Sequence, residues 1–325
     1  MAIINKSCSK MAQNKCNIVC SNNNCPNWVD NWQVVDFINS GTFGKIFQVI
    51  NSYTNIIGAM KIEYIGVEFA LLINEVNHII YIQNVLYNDY NYKYSLKYLP
   101  HIFDKGSYSN AFVFCVMELL GPDLLQLKNR QTSCQFTLWT SYWLLREMIR
   151  AIKGIHYCGF VHRDIKLANF CIRKGYNEQR SLVLIDFGLI SQDSSCFPNY
   201  YDNLKGKTVG TLCYCSSQSQ LSKCKPTFVD DLWSIFYVSL ENFTGTLPWK
   251  ASNDKNLVYN MKMNLNLINL QNSGYHIPQV MHEIYALLLN PHEHIRLCLH
   301  DKIINLIDEE LRILEFHETL LLDWE

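Results

Sequence analysis

The sequence predicts an α+β fold in which a small β-rich part precedes a larger helical part. Before residue 118, short apolar or alternating stretches are separated by turn residues, a pattern that is typical of strands. Beyond residue 135, apolar residues recur at intervals of three and four, which is typical of helices. Two short polar loops lie within this helical part, and they carry the residues that bear on function.

The β-rich part is predicted to contain four strands and one helix. The strands cover residues 33–38, 45–50, 56–62 and 112–117. Residues 68–83 are predicted to form a helix after the third strand, and the Tyr- and Asn-rich residues 88–97 an inserted loop. Gly121 and Pro122 end the last of these strands, because both residue types favour turns.

The helical part begins with a helix that Thr137 can cap and that Gly159 can end. A short apolar strand is predicted after it, over residues 182–185. Residues 231–243 are apolar almost all round, which predicts a buried central helix. Two more helices are predicted near residues 279–290 and 302–322.

Length and composition limit the possible classes of protein. A chain of 325 residues with 49% hydrophobic residues can form one large domain or two lobes. Its net charge of −1 does not favour a nucleic-acid or anionic-membrane partner. The longest apolar stretch, residues 111–120, is shorter than the roughly 20 residues that cross a bilayer, and no signal-peptide pattern is present. We therefore expect that the protein binds neither nucleic acid nor a membrane. Its expected location is intracellular, in the cytoplasm, with the nucleus as an alternative.

Most of the thirteen cysteines lie singly inside apolar runs, which favours free thiols in a reducing compartment. Four of them, Cys8, Cys16, Cys20 and Cys25, cluster near the N-terminus and raise the alternative of a zinc site. Their spacing contains no close C-x2-C pair, and no histidine lies among them. Residues 1–27 are therefore predicted to be a disordered, Asn- and Cys-rich leader.

A glycine loop joins the first two predicted strands. It consists of Ile38, Asn39, Ser40, Gly41, Thr42, Phe43, Gly44, Lys45 and Ile46. Glycines let a backbone approach phosphates closely and offer its N–H groups to them, although a plain β-hairpin explains the same pattern. Asn39 stands where such loops usually have their first glycine, and asparagine tolerates turn conformations better than most residues.

Lys61 lies at the end of the third predicted strand, after Ala59 and Met60. An ammonium inside an apolar strand needs an anionic partner, because burial of an unpaired charge is costly. Glu75 on the following helix can supply one carboxylate and nucleotide phosphates the rest, with Glu68 as the competing partner. The alternative is a lysine that points to solvent from an edge strand.

The two polar loops of the helical part give the strongest chemical signal. One contains Asp164, Lys166 and Asn169 in the run HRDIKLAN, and the other begins with Asp186 in the run DFG. Two acids, an amide and a lysine at this spacing suit the transfer of a phosphoryl group. Asp164 would orient the proton of a hydroxyl substrate, and Lys166 would offset charge on the phosphoryl group. Asn169 and Asp186 would bind Mg²⁺ through oxygen atoms.

With these motifs in order, the sequence resembles the eukaryotic protein kinases from about Trp28 to the C-terminus. Within them it is similar to the casein kinase I superfamily, especially its tau-tubulin kinase branch. The runs that carry this likeness are GFVHRDIKLANF (159–170), FGLI (187–190), GTLCY (210–214), DDLWS (230–234) and GTLPW (245–249). The resemblance implies a bilobal protein-kinase-like fold over residues 28–325, with an N-lobe at about 28–117, a hinge at 118–121 and a C-lobe at 122–325.

The resemblance also implies ATP and Mg²⁺ as cofactors. By position, residues 38–46 would cover the phosphates, Met117 resembles the gatekeeper, and the backbones of Glu118 and Leu120 would bind adenine. Lys61 would contact the phosphates. The purine would lie between the apolar side chains of Ile46, Ala59 and Cys171.

Serine/threonine specificity toward protein substrates follows from the same resemblance. Lys166 and Thr211 match serine/threonine kinases, in which the threonine hydroxyl links the catalytic aspartate and lysine. Glu75 stands at the family's spacing from Lys61, which favours it over Glu68. Asp231 resembles the residue that braces the HRD backbone, and a simple N-cap role is a compatible alternative.

Some positions depart from the family. Cys213 stands where arginine is usual, and Phe228 and Val229 replace basic residues, which bears on substrate recognition rather than on the chemistry. One alternative function is a pseudokinase scaffold that binds nucleotide or partner proteins, but the chain retains all five residues of the expected machinery. These are Lys61, Glu75, Asp164, Asn169 and Asp186. A small-molecule kinase is a further alternative, which Lys166 and Thr211 disfavour.

Overall fold

A computed structural model describes residues 26–41, 44–65, 71–175, 179–196, 209–221, 225–291 and 296–325. Residues 1–25, which make up most of the predicted leader and include its four cysteines, lie outside this part of the chain. The chain divides into two compact units. One comprises Met1–Ile80 and Pro100–Gly121, and the other comprises Tyr81–Leu99 and Pro122–Glu325.

The first unit is built on an antiparallel sheet of six strands in the order β1-β2-β3-β4-β6-β5. The strands are β1 (Trp28–Val29), β2 (Trp32–Gly41), β3 (Gly44–Asn51), β4 (Ile57–Tyr64), β5 (Ile102–Tyr108) and β6 (Phe112–Glu118). The four predicted strands are confirmed, whereas β1 and β5 were not predicted from the sequence. Both of these strands lie at edges of the sheet.

Side chains alternate between the two faces of this sheet, as the strand period of two requires. On β6, Phe112, Phe114 and Val116 belong to one buried cluster, and Val113 and Cys115 belong to another. The second cluster also contains Leu72 and Val76 of helix α1 (Leu71–Asn88). The sheet therefore has a core on one face and the beginning of a helix on the other.

Helix α1 is described from Leu71 onward, and residues 66–70, which include the predicted start at residue 68, lie outside the described chain. The carboxylate of Glu63 on β4 accepts hydrogen bonds from the backbone N–H groups of Leu71 and Leu72, at 3.2 and 2.6 Å. The helix start is thus capped by a side chain from a strand, which local sequence does not reveal.

The predicted loop at residues 88–97 is wrong in part, because Lys93–Tyr98 forms a 3-10 helix in the second unit. Tyr98 is buried there, and its hydroxyl donates to Glu147 Oε2 at 2.7 Å. A Cβ on Gly154 would lie 2.6 Å from the Cβ of Ser95, so a glycine is needed where the two segments meet. Close packing against the next long helix orders this insertion.

The second unit contains most of the helices and two short two-stranded sheets. Its helices are α2 (Leu124–Arg130), α3 (Leu138–Tyr157), α4 (Phe228–Thr244), α5 (Lys255–Met263), α6 (Leu267–Asn272), α7 (Gln279–Leu289) and α8 (Arg296–Ile313). Its strand pairs are β7 (Phe160–Val161) with β10 (Ser191–Gln192), and β8 (Phe170–Ile172) with β9 (Leu182–Leu184). The sequence pattern did not predict α2, α5 and α6.

The caps of α3 and α4 show how local sequence determines some helix ends. Thr137 caps α3, and Gly159, with φ of 81°, follows its end, as predicted. Helix α4 begins at Phe228, three residues before the predicted start, because Thr227 and Asp230 form a reciprocal capping box. The N-cap alternative for Asp231 is therefore wrong.

The predicted helix at 302–322 is wrong at its C-terminal end, because α8 stops at Ile313. The chain then folds back onto α3. The Asp323 carboxylate accepts from the backbone N–H and the hydroxyl of Thr137, at 2.6 and 2.7 Å, and the Trp324 ring packs edge-on against Trp143. These contacts stabilise a non-helical end. The α+β class is confirmed, and no helix of the described residues is long and apolar enough to cross a bilayer.

Candidate active site

Lys61 and Glu75 form an ion pair within the first unit, with 2.7 Å between Nζ and Oε2. Lys61 lies on β4, which pairs with β3 on one side and β6 on the other, so the edge-strand alternative is wrong. Glu75 on α1 is only 4% exposed. Glu75 therefore lies beside this ammonium, as expected, whereas the competing residue Glu68 lies outside the described residues.

On either side of the glycine loop, Gly41 of β2 pairs with Gly44 of β3, while Thr42 and Phe43 lie outside the described residues. A Cβ on Gly44 would lie 1.9 Å from the carbonyl oxygen of Ile62 on β4, so only glycine fits at this position. Asn39 Oδ1 accepts from the Ser40 N–H at 2.8 Å, which stabilises the strand end where a glycine is usual. The two strands that flank the loop therefore pair without the missing glycine.

Asp164 lies at the centre of a hydrogen-bond network in the second unit. Its Oδ2 accepts from Lys166 Nζ at 2.6 Å and from Asn169 Nδ2 at 3.1 Å. Its Oδ1 accepts from the N–H and the hydroxyl of Thr211 at 3.0 and 2.7 Å. Burial of the carboxyl opposes ionisation, but the Lys166 ammonium and the Thr211 hydroxyl outweigh burial, so the pKa of Asp164 lies below its ordinary value. The group is a carboxylate at neutral pH, fixed from both sides.

Asp231 holds the backbone of the loop that carries Asp164. Its Oδ2 accepts from the His162 N–H at 2.7 Å and its Oδ1 from the Arg163 N–H at 2.8 Å. His156 Nε2 lies 2.9 Å from the same Oδ2, and His156 Nδ1 lies 2.8 Å from His300 Nε2. All three of these side chains are fully buried. The predicted bracing contact is thus present, and two histidines support it.

The two polar loops are connected directly. His162 Nε2 lies 3.2 Å from the Ile185 carbonyl oxygen, and the His162 ring packs edge-on against Phe187. The Ile185 N–H donates to the Asn169 carbonyl at 2.9 Å. Asp186 then adopts a left-handed conformation, with φ of 65° and ψ of 66°, which is uncommon outside glycine. Asn169 and Asp186 are therefore positioned by one backbone contact between their loops.

Thr211 reaches Asp164 because the chain before it passes very close to the catalytic loop. Gly210 has φ of 87°, and a Cβ there would lie 2.3 Å from the Arg163 carbonyl oxygen. Only glycine avoids this clash. Thr211 and Lys166 bind different oxygens of Asp164, so the threonine is linked to the lysine through the carboxylate.

Comparison with known proteins agrees with this arrangement. A sequence model of the protein kinase domain matches residues 32–311. The chain belongs to the protein kinase family. Its two units correspond to the lobes of the bilobal kinase fold, a β-rich N-lobe and a helical C-lobe, as the sequence predicted.

Curated relatives of this kinase come from several organisms. A probable serine/threonine-protein kinase of Dictyostelium discoideum is 32% identical over 242 residues, which is 74% of this chain and 46% of that protein. The serine/threonine-protein kinase spe-6 of Caenorhabditis elegans is 30% identical over 225 residues, 67% of this chain and 54% of the relative. A C. elegans protein named as a casein kinase I is 27% identical over 310 residues, 92% of this chain and 84% of its own length. The chain spans about half the length of the first two.

The residues expected to bind adenine occur in both lobes of the kinase. In the N-lobe, Ile46 and Ala59 lie on β3 and β4, and Ala59 pairs with Met117 on β6. Glu118 ends β6, and its N–H donates to the His101 carbonyl at 2.9 Å. In the C-lobe, Cys171 on β8 is buried, and this burial raises the pKa of its thiol to about 12. Cys171 is therefore a buried and unreactive thiol.

The side-chain oxygens of Asn169 and Asp186 are suited to Mg²⁺, the ion that the family implies. Asn169 Nδ2 donates to the carbonyl and carboxylate oxygens of Asp164, at 2.8 and 3.1 Å, which turns the Asn169 amide oxygen away from that group. An amide oxygen and a carboxylate from Asp186 are hard ligands of the kind that Mg²⁺ prefers. Among the described residues no group of three or more His, Cys, Asp or Glu side chains could hold a metal. The set suits an ion that phosphate oxygens also ligate.

Sequence reasoning missed three contributions to this site. His156 and His300 lie on helices far apart in sequence, and a buried histidine gives no periodic signal. Glycine is needed at position 210 because the backbone there passes close to the Arg163 carbonyl oxygen. The GTLCY run indicated that this segment matters, but it did not indicate this contact. All of these contacts join residues that are distant along the chain.

Proposed function

We propose that this protein kinase transfers the γ-phosphoryl group of ATP to serine and threonine hydroxyls of protein substrates. The observation that carries the proposal is the ionised Asp164, held at once by Lys166, Asn169 and Thr211. A fixed carboxylate of this kind accepts the proton of an attacking hydroxyl or orients it. The serine/threonine kinase names of two relatives support the substrate class.

Each predicted catalytic residue has a distinct role in this proposal. Asp164 orients the substrate hydroxyl, and Lys166 lies close enough to Asp164 to offset negative charge on the transferred phosphoryl group. Lys61, oriented by Glu75, binds phosphate oxygens. Thr211 keeps the Asp164 carboxylate in one rotamer by binding Oδ1 through two donors.

Asn169 and Asp186 are the residues that would hold Mg²⁺ in this protein. When bound, the ion neutralises charge on the ATP phosphates. The hairpin at 38–46 would cover these phosphates through backbone N–H groups. Ile46, Ala59 and Cys171 would contact the purine, with Met117 as gatekeeper and the backbones of Glu118 and Leu120 as hydrogen-bonding partners.

The finer assignments are proposals of the same kind. The kinase domain is proposed to cover residues 28–325, with the hinge at 118–121, and to resemble the tau-tubulin kinase branch of the casein kinase I superfamily. A relative named as a casein kinase I, which matches 92% of this chain, supports the superfamily. The eight described cysteines are free thiols, which supports an intracellular location.

The alternative is a pseudokinase scaffold, which Asn39 in place of a glycine favours. The intact network around Asp164 opposes this alternative, since a scaffold has no need of a carboxylate fixed by three side chains. Both functions permit nucleotide binding, so phosphoryl transfer is the property that separates them.

The test is an assay with Mg²⁺ and ATP on a mixed protein substrate, followed by phospho-amino-acid analysis. We expect phosphoserine and phosphothreonine from the wild-type chain. Asp164→Asn should lower kcat by on the order of 100-fold or more while nucleotide binding is retained. Asp36→Asn makes the same chemical change at an exposed site on β2 and serves as control. Transfer by Asp164→Asn at the wild-type rate would contradict the assignment, and an inactive wild type that binds ATP would favour the scaffold.

A further inference from the structure

Lys262 on α5 is a buried lysine that has no place in the site described so far. It is only 4% exposed. Its Nζ donates to the carbonyl oxygens of Cys215 and Leu212, at 2.6 and 2.7 Å. The ammonium also lies over the rings of Tyr237 and Trp249, with 5.2 and 5.7 Å to their centroids. In the described part of the chain, these carbonyls, one thiol and two aromatic faces are its partners.

A buried ammonium normally has a carboxylate partner, because removal of the charge from water is costly. Burial lowers the pKa of Lys262, although the nearby thiols of Cys215 and Cys213 oppose this shift. An apolar side chain would fill the same space without this cost. The three polar atoms that contact Lys262 all belong to residues 212–215, so its hydrogen-bonding capacity is committed to that short segment.

Residues 211–215 form a single turn, because the N–H groups of Tyr214 and Cys215 both donate to the Thr211 carbonyl at 2.9 Å. Trp249 Nε1 donates to the Cys213 carbonyl at 2.8 Å, between the two carbonyls that Lys262 holds. The Tyr214 hydroxyl donates to Glu241 at 2.7 Å. Each residue from 212 to 215 is therefore attached to the helical core of the C-lobe.

The first residue of this turn, Thr211, binds the Asp164 carboxylate. Thr211, the residue next to Leu212, donates both its N–H and its hydroxyl to Asp164 Oδ1. A shift of the turn would lengthen both bonds together, and hydrogen bonds weaken steeply with distance and misalignment. Lys262 is thus linked to Asp164 through its hydrogen bond to the Leu212 carbonyl and through Thr211, the residue before Leu212.

We propose that Lys262 is a positioning residue for phosphoryl transfer. Its ammonium fixes the turn at 211–215 so that Thr211 keeps Asp164 in place, and this role rests on the proposed kinase function. Since a displacement of about 1 Å near reacting groups costs up to roughly a hundredfold in rate, loss of the ammonium should lower kcat between about tenfold and a hundredfold. The KM for ATP should change less than about twofold, because no described contact links Lys262 to the predicted nucleotide residues.

The experiment compares Lys262→Met, Lys262→Gln and Lys262→Arg with the wild-type chain in the Mg²⁺-ATP assay. Amide hydrogen exchange of the peptide that spans residues 209–216 is measured for each protein, together with its thermal unfolding. Lys255→Met is the matched control, since Lys255 is an exposed lysine on the same helix. The exchange measurement does not depend on activity, so it tests the anchoring contact separately from the kinase reaction.

We expect Lys262→Met to combine the loss of kcat with at least about tenfold faster exchange in residues 209–216, while Lys262→Arg retains most of both properties. Lys262→Gln keeps one donor group and should lie between them, and it decides the outcome if the methionine variant does not fold. A folded variant without the ammonium that keeps wild-type kcat and exchange would overturn the proposal. So would a loss of kcat without faster exchange. An inactive wild-type chain would overturn the kinase function instead, and exchange alone would then decide whether Lys262 anchors the turn.

Discussion

Replacement of Asp231 by asparagine tests how far the catalytic loop depends on one buried carboxylate. Asp231 is fully buried on α4 and accepts hydrogen bonds from the backbone N–H groups of His162 and Arg163. His156 Nε2 contacts the same oxygen as His162. The substitution preserves size and shape, so its effect comes from the loss of the charge and from the replacement of one acceptor oxygen by an NH₂ donor.

The magnitude follows from these contacts. Asparagine has one acceptor oxygen, and if this takes the Oδ2 position it keeps the contacts to His162 and His156. Its NH₂ group then faces the Arg163 N–H, so a buried donor meets a donor. A buried donor left without an acceptor costs about 1–3 kcal/mol. Because domains of this kind have about 5–15 kcal/mol of unfolding free energy, the variant should fold but be measurably less stable.

The affected N–H belongs to Arg163, which directly precedes Asp164 in the chain. We therefore expect Asp231→Asn to lower kcat as well as the unfolding free energy, measured by phosphoryl-transfer assay and by denaturant titration. Asp254→Asn is the control, because Asp254 is an exposed N-cap of α5 and asparagine caps helices equally well. Wild-type stability and kcat in Asp231→Asn would refute the reasoning, since the NH₂ group at this fully buried position would then face the Arg163 N–H at no cost.

Four further predictions concern the nucleotide, regulation, substrates and pH. Lys61→Met should lower kcat at least about tenfold. Glu75→Lys should lower kcat far more than Glu68→Lys does. A larger loss of kcat in Glu68→Lys would show that Glu68, not Glu75, is the partner of Lys61. Phosphatase-treated enzyme should keep its activity, as the casein kinase I resemblance implies, and loss of activity would contradict this. A phosphoserine near the acceptor should improve kcat/KM by less than about tenfold, or ~1.4 kcal/mol, because the half-buried Cys213 thiol cannot neutralise a phosphate. Matched peptides with Ser, Asp or phosphoserine test this. A hundredfold gain from phosphoserine would refute the prediction. Finally, the lowered pKa of Asp164 means that its contribution to stability is complete above its unfolded value of about 3.9 and is lost as the pH falls through the folded value. The unfolding free energy of Asp164→Asn should therefore fall less steeply at acid pH than that of the wild-type chain. An unchanged pH dependence at acid pH would contradict the lowered pKa of Asp164.

Much of the proposed active site could be predicted because its residues lie within short segments. Asp164, Lys166 and Asn169 fall in one run of eight residues, and their spacing alone indicated phosphoryl transfer. Thr137 marked a helix start for a similar reason, since a cap binds the N–H of a residue three positions later. Patterns of this length are visible in the linear sequence.

Helix and strand ends were predicted less well where a distant side chain decides them. Glu63 caps α1 from a strand, and Asp323 binds Thr137 across 186 residues of sequence and helps to stabilise the non-helical C-terminal segment. The apolar residues beyond 313 supported a longer helix by periodicity alone. Two aromatic residues of this segment, Phe316 and Trp324, pack instead against the Trp139 and Trp143 rings of α3, and no local pattern reports that contact.

The sequence by itself determined the fold class, the order of the motifs and the residues expected to perform the chemistry. Only the tertiary structure decided which groups hold these residues in place, among them His156 and His300 behind Asp231 and Lys262 behind Thr211. The physical reason is that a buried polar group needs its partner in space rather than in sequence. A lysine on a short helix resembles any surface lysine until folding surrounds it with carbonyl oxygens and aromatic rings.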